Sequence, residues 1–583
     1  MVPKALAVFL LFASVAAAQP PAAIEYTVRI SAPQTHDVEV EARIPTAAQP
    51  RIELMMAVWT PYVIREYAKN LEAVTARTVD GRPLTIEKSR KNRWRVETGG
   101  ADPAIVTYRV YCHAMGVQDN WVDDEFALLN GAPTFLTLAD RVARPHDVRI
   151  VLPPNWKTTA TGMPAVPREP HHYRAPDYET LVDSPIVAGN PAVHEFEVEG
   201  KPHYLVDVGE DGVFDGDRAA ADLARVVRQD SKLWGGLPYD KYLFLNMLTG
   251  GGGGMEHSNS TALMSDRWNT RTRRNYLRWL DLASHEFFHA WNVKRLRPAE
   301  LTPGEYETEP YTASLGIAEG FTSYYAPVIV HRAGISTEAE LLASLSRTIR
   351  ELQTTPGRLV QSLSLSSFDT WIKFYRPDEN SVNTAISYYT KGEVAGFLLD
   401  AHVRSLTKGA KSLDDVMRLA LARNPTAAGY TPAAFRAAAS EVAGTDLSGW
   451  FAQVFDSTGE LDYREALDWF GLRFADESSS KQAWLGAETK VDDGRLMVTR
   501  IPRGTPAYEA GLDTGDEIVG FADFRLRPAD WDRQLANYQP GDGLPLLLTR
   551  RGRLVHVTVT LGREPAGAWT LEAATESPHR ASW

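Results

Sequence analysis

Two rhythms of apolar residues divide this chain. From about Ile24 to Val208, apolar and polar positions alternate in short runs, as in Tyr26-Thr-Val-Arg-Ile30, Asp37-Val-Glu-Val-Glu-Ala-Arg-Ile44, Arg93-Trp-Arg-Val-Glu97 and His194-Glu-Phe-Glu-Val198. Period-two alternation fits strands with one buried face, and Pro and Gly clusters punctuate the runs, so this stretch reads as an all-β, sandwich-like domain. Near Asp215 the spacing changes. Asp217 to Arg228 is spaced as a helix that Gly235-Gly236 ends, and residues 242–248 are an apolar strand. Helical spacing then dominates from Thr337 to about Phe470, as at Leu413, Val416, Met417, Ala420 and Leu421. Strands return over about 472–562, with a short glycine-bounded helix between Gly504 and Gly515. The expected fold class is multidomain α+β: a β domain over 19–208, a mostly helical domain over 209–470, a smaller strand-rich domain over 471–565 and a tail over 566–583.

One segment departs from the amphipathic rule. Residues 276–292, YLRWLDLASHEFFHAWN, are apolar nearly all round, as in a buried helix, yet carry His285, Glu286 and His289. Four residues make a little over one helical turn, so the two imidazoles share a face and can bind one metal ion. Glu286 directly follows the first histidine, which lets its carboxylate reach a water at that metal rather than the metal itself. The competing reading is a pair of core histidines satisfied by protein partners. Burying two imidazoles and a carboxylate without partners is costly, and a metal serves all three at once.

Two histidines leave a catalytic zinc one protein ligand short. Downstream stand Glu300, Glu305, Glu307, Glu309 and Glu319. The first four lie among Pro, Gly and Thr, where solvated loop charges are expected. Glu319 sits inside the apolar helical run 315–330, where an unpaired carboxylate is costly, and is the expected third ligand. Pro327, in the same run, is expected to kink it. Upstream, Gly250 to Gly254 precede Met255-Glu256-His257. No Lys-Ser/Thr follows the glycines, which argues against a phosphate loop. They read either as a flexible linker or as a strand edge. In the second reading Gly253 and Gly254 let a substrate backbone approach closely, and Glu256 ends the edge as a fixed negative charge. The pair Tyr388-Tyr389, taken alone, reads as helix packing.

Composition and charge narrow the picture. At 44% hydrophobic and 23% charged residues the chain is globular rather than disordered. A formal net charge of −12, with no Lys/Arg-rich run, argues against nucleic acid or an anionic membrane as a partner. Residues 1–18 read as a signal peptide: one Lys, an apolar run and Ala16-Ala17-Ala18, with cleavage near Gln19. The mature protein is therefore expected in a periplasm or secreted. No later stretch is long and apolar enough for stable membrane insertion. The single cysteine, Cys112, allows no internal disulfide and falls at a strand position. His113, His171 and His172 are scattered, and a surface role is expected for each.

Four motifs together carry a resemblance: Gly252-Gly-Gly-Met-Glu-His257, His285-Glu-Phe-Phe-His-Ala-Trp-Asn-Val-Lys-Arg-Leu296, Glu319-Gly-Phe-Thr-Ser-Tyr-Tyr325 and Tyr388-Tyr-Thr-Lys-Gly392. In these the chain resembles the glycyl aminopeptidase family of zinc peptidases, which have a thermolysin-like catalytic domain and commonly a C-terminal PDZ domain. Alanyl and leucyl aminopeptidases share related elements but place the glutamate ligand closer to the second histidine. The resemblance implies one zinc per chain on His285, His289 and Glu319, with Glu286 as general base on the zinc-bound water. It implies that Glu256, beside Gly253 and Gly254, pairs with the substrate's free α-amino group, and that Tyr389, rather than its neighbour Tyr388, donates to the oxyanion. Residues 472–562 resemble a PDZ domain, with residues 484–487 holding the carboxylate of a C-terminal peptide ligand; a docking module without a free ligand is the alternative. The expected function is a zinc aminopeptidase releasing small N-terminal residues, Gly or Ala, from peptides with a free N-terminus. The alternatives are a zinc endopeptidase, in which Glu256 is structural, and a PDZ-bearing adaptor with an inactive peptidase domain.

Overall fold

Alternation builds the first domain. In Asp37–Ile44 every second side chain is buried, and the strand pairs with Ala104–Tyr111 on one side and Ile24–Arg29 on the other. The structure is a computed structural model that describes residues 21–60, 62–209, 212–301, 305–424, 428–475, 482–564, 569–574, 577, 579, 580 and 583. Residues 1–18, read as a signal peptide, lie outside the described residues. Ten strands form one large sheet, antiparallel except where Ile24–Arg29 runs parallel to His146–Val151, and four shorter strands form a second. Val28, Val40, Trp94, Val106 and Leu129 fill a core common to both, and Cys112 is buried.

The sheet of this domain ends earlier than the alternation indicates. Ala192–Val198 and Lys201–Val208, read as its last strands, instead open a five-stranded sheet that continues with Tyr242–Met247, Ser260–Met264 and Gly253–Glu256. Period two marks a strand but not the sheet it joins. Gly216–Trp234 is the crossover helix between the parallel strands Lys201–Val208 and Tyr242–Met247; Asp215 caps its start, and Gly235, at φ 84°, its end. Gly253–Glu256 is the outer strand, antiparallel to Ser260–Met264, so the glycine run leads into a sheet edge. Its second residue has a steric reason to be glycine: a Cβ on Gly254 would stand 2.3 Å from Glu286 Oε1.

The helices behind this edge hold the rest of the site. The histidine helix, Arg273–Phe288, is capped by Thr272, and Phe287 packs edge-on against Tyr242 of the sheet, ring centroids 4.9 Å apart. Glu319 lies in a π-helical segment, Gly316–Gly320, that feeds the glutamate helix, Phe321–Arg332. The helix assignment runs through Pro327, and a separate departure from α geometry, the π segment, lies upstream. The tyrosine helix, Tyr388–Leu406, crosses here with backbones touching: a Cβ on Gly320 would stand 2.4 Å from Gly392 Cα. Asn292, just past the histidine helix, locks the arrangement. Its buried side-chain amide donates to Ile317 O at 3.0 Å, Ala318 O at 3.1 Å and Thr322 Oγ1 at 3.0 Å.

Towards the C-terminus the strands Glu488–Asp492, Arg495–Arg500, Glu517–Phe521, Gly543–Arg550 and Arg553–Thr560 lie side by side in that order. With the short helices Pro506–Glu509 and Trp531–Leu535 they enclose their own core, which includes Val498, Ile518, Trp531 and Leu546. The tail does not stand apart. Leu571–Ala573 pairs with Leu472–Phe474, and Trp583 stacks on Phe470 at 4.3 Å with its Nε1 donating to Tyr324 Oη at 2.9 Å in the glutamate helix. Among the described residues no helix is long and apolar enough to cross a membrane.

Asn292→Ala takes a donor from Ile317 O and from Ala318 O, the second of which keeps the Thr322 hydroxyl at 2.7 Å, at a cost of about 2 kcal/mol. Scanning calorimetry should show the unfolding of the helical domain moved down by several degrees; an unchanged midpoint would deny Asn292 this role.

Candidate metal centre and its cleft

His285 lies in the last turn of the histidine helix and His289 caps its end. Their Nε2 atoms are 3.0 Å apart, and Glu319 Oε2 lies 3.4 Å from the first and 3.1 Å from the second. Tetrahedral ligands about 2.0–2.1 Å from a zinc ion lie roughly 3.3 Å from one another, so these separations are close to those of a ligand set. The tautomer agrees. His289 Nδ1 donates to Asn292 O at 2.5 Å, which leaves the Nε2 lone pair facing the cluster. Tyr62 Oη donates to the other oxygen of Glu319 at 2.9 Å, fixing the carboxylate's rotation. Two imidazole nitrogens and a carboxylate oxygen therefore converge on one point, a donor set that fits zinc.

Charge makes the same demand. Glu319, Glu286 and Glu256 are 2%, 5% and 7% exposed, and Glu256, Glu286 and His289 bring ligand atoms within 4.8 Å of one another. Burial, then the charges of Glu256 and Glu319, push Glu286 well above the usual carboxylate range. Burial works against a charged Glu319, yet the facing His289 and His285 hold it well below that range. Burial also works against a charged His289, but Glu319, Glu256 and Glu286 push it up to about 10. His285 is held below its ordinary value by burial and then by His289. Carboxylates thus outnumber the basic groups at a place little exposed to water, a setting that a bound cation stabilises.

A cleft of about 490 Å³ opens over the cluster. Glu286, Tyr389, Gly253, Gly254 and Glu256 all line it together with His285, His289 and Glu319, so the structure brings the residues expected at the metal and substrate site to one place. The Tyr389 ring centroid is 6.1 Å from that of His285, whereas Tyr388 is fully buried behind it. Lys391 of the same motif turns away, its Nζ donating to Ser457 O at 3.3 Å. Two of the other downstream glutamates are engaged elsewhere: Glu305 with Arg141 at 3.0 Å and Glu307 with Arg93 at 2.7 Å.

Three further residues reach the site from the β-rich domain: Tyr62, Gln118 and Asp183. Tyr62 sits at φ 65°, a conformation a bulky residue holds only where its surroundings impose it. Asp183 accepts from Lys294 Nζ at 2.7 Å and from Ser258 N at 2.8 Å, tying the chain just past Glu256 to the loop after the histidine helix. No local pattern marks any of the three. Asn292 and Lys294 had a signal, their place within the run 285–296, but no role was read from it. Beyond Glu256 a narrower cavity of about 180 Å³ continues between the domains past Trp59, Tyr67 and Tyr306; Tyr62, Gln118 and Met255 line both it and the cleft.

Residues 25–190 match the family model of the Peptidase M61 N-terminal domain, and residues 278–395 that of the M61 glycyl aminopeptidase. The structure resembles that of an aminopeptidase N family protein from Idiomarina loihiensis with a TM-score of 0.89 and 29% identity, over 95% of this chain and 98% of that one. Likenesses to aminopeptidase A from Legionella pneumophila (TM-score 0.47, 14% identity, 82% of this chain and 51% of that one) and to a variant of the M1 zinc metallopeptidase from Deinococcus radiodurans (0.49, 13%, 76% and 95%) are too distant to bear on function. No curated protein matches the chain by sequence. The first family match ends where the large β sheets end, and the second spans both histidines, Glu319 and Tyr389. Two M61 family models, that of the N-terminal domain and then that of the glycyl aminopeptidase, thus match the chain in order and support a peptidase.

Proposed function

We propose that this protein is a zinc-dependent aminopeptidase that releases small N-terminal residues, Gly or Ala, from peptides. The observation that carries this reading is the position of Glu256, a buried carboxylate ending a sheet edge, beside Glu286 and His289 in the cleft over the cluster. His285, His289 and Glu319 would hold the zinc, which when bound polarises a scissile carbonyl and makes a water more acidic. Glu256 receives the free α-amino group of the substrate and so fixes which bond is presented. The edge at Gly253 and Gly254 offers its backbone to the substrate strand. Glu286 takes the proton of the attacking water and passes it to the leaving amine. Tyr389 donates a hydrogen bond to the developing oxyanion, and Tyr62 keeps Glu319 in its rotamer.

The preference for small residues is supported by the glycyl aminopeptidase match. The C-terminal sheet with its two short helices supports a PDZ domain that takes a C-terminal peptide near residues 484–487. The pattern of residues 1–18 supports export to a periplasm or beyond.

Gly-Ala-Leu should be cut at its first bond and its N-acetylated form should resist; equal cleavage of both would make the protein an endopeptidase with a structural Glu256. In Glu286→Gln, kcat should fall by roughly 10²–10⁴-fold, the usual worth of a general base; full activity would remove Glu286 from the chemistry. Tyr389→Phe should lower kcat by about 10²-fold with little change in KM, and Tyr388→Phe far less. The reverse order would give the oxyanion to Tyr388.

A further inference from the structure

We propose that the leaving-group end of the cleft is an acidic subsite, built by Asp281 and Glu393, that selects peptides whose second residue is Lys or Arg. The proposal rests on the aminopeptidase reading above and names a substrate class within it.

Position along two helices carries the inference. Asp281 precedes His285 by four residues on the histidine helix, and Glu393 follows Tyr389 by four on the tyrosine helix, so each shares a face with a residue of the catalytic cluster. Both line the same cleft. Four residues advance about 6 Å along a helix axis. Glu256 meets Glu286 and His289, on the C-terminal side of His285, while Asp281 lies on the N-terminal side. A peptide with its amine on Glu256 and its first carbonyl at the histidines therefore sends its second side chain towards Asp281 and Glu393.

The chemistry of this end fits a long basic side chain. Among the described residues neither carboxylate forms an ion pair; Asp281 is half-buried in the wall without a hydrogen-bond partner, while the Thr348 side chain meets Glu393. Unpaired carboxylates in a helix wall are destabilising, which packing alone does not explain. Arg347, on the helix Glu338–Thr354, offsets both in part, and its Nη2 is engaged with Ser344 Oγ at 2.8 Å; Glu351 of the same helix adds negative charge beside Glu393. Burial pushes Asp281 up to about 7 and, together with the charges of Asp281 and Glu351, Glu393 up to about 8, so both stand to gain charge when a cation enters. Leu282 and Pro327 line the same cleft and offer apolar surface to the aliphatic stem of Lys or Arg.

The test compares kcat/KM for Gly-Lys-Ala, Gly-Leu-Ala, Gly-Glu-Ala and Gly-norleucine-Ala. In the wild-type protein Lys should exceed Leu and norleucine by about tenfold, with Glu lowest. In the double variant D281N/E393Q the Lys-to-Leu ratio should fall to near unity. The ratio is the readout because damage to folding scales all substrates alike, and the norleucine comparison needs no variant. Cleavage of Gly-Leu-Ala with no advantage for Lys, or an advantage that survives in the double variant, overturns the subsite and leaves the aminopeptidase reading intact. If none of the four peptides loses its glycine, the aminopeptidase reading fails and the subsite with it.

Discussion

Three carboxylates and two imidazoles crowd the floor of one cleft, each little exposed. There the charges of Glu256 and Glu319 add to burial in raising Glu286 well above the usual carboxylate range. The buried ammonium of Lys294 does not resolve the conflict, because Asp183 holds it at 2.7 Å. A divalent cation among His285, His289 and Glu319 would satisfy three donors and the charge excess together. The surrounding fold is what keeps such an arrangement from relaxing. Gly320 and Gly392 let two helices cross at backbone contact, Asn292 ties the end of the histidine helix to the π segment, and Tyr62 reaches in from another domain to fix Glu319.

The same constraint explains how the domains divide the labour. The histidine helix and the π segment set the donors, and the tyrosine helix brings Tyr389 over them. The sheet edge adds Glu256 from the other side, and Gly254 lacks a side chain because the Glu286 carboxylate occupies the place its Cβ would take. The β-rich domain is not a passive support. Its Asp183 anchors the residues that follow Glu256, and its Tyr62 contacts a cluster residue directly. Moving that domain would disturb both the amine anchor and the third donor.

What could be read from the sequence was what is local along the chain. The i, i+4 histidines, the glutamate stranded in an apolar run and the glycines before Glu256 each carry their chemistry within a few residues, and the structure brings all of them to one cleft. The choice of Glu319 over Glu305 and Glu307 also followed from local surroundings, and the ion pairs of the latter two with Arg141 and Arg93 give them separate employment. What was not legible depends on distant pairing. Strands 192–208 alternate like those before them but join the next sheet, because alternation encodes a face and not a neighbour. Tyr62 is 257 residues from the carboxylate it contacts, and the return of Trp583 to the glutamate helix leaves no trace in any window of the chain. Pro327 was legible inside the glutamate helix, but the π-helical turn before that helix was not.

The most direct test of the central claim is to locate the metal itself, by anomalous diffraction at the zinc edge from crystals of the zinc-loaded protein. The account predicts a single peak about 2.0–2.2 Å from His285 Nε2, His289 Nε2 and Glu319 Oε2. A peak placed instead among Glu256, Glu286 and His289, the other buried donor set, or no peak in the cleft at all, would contradict it.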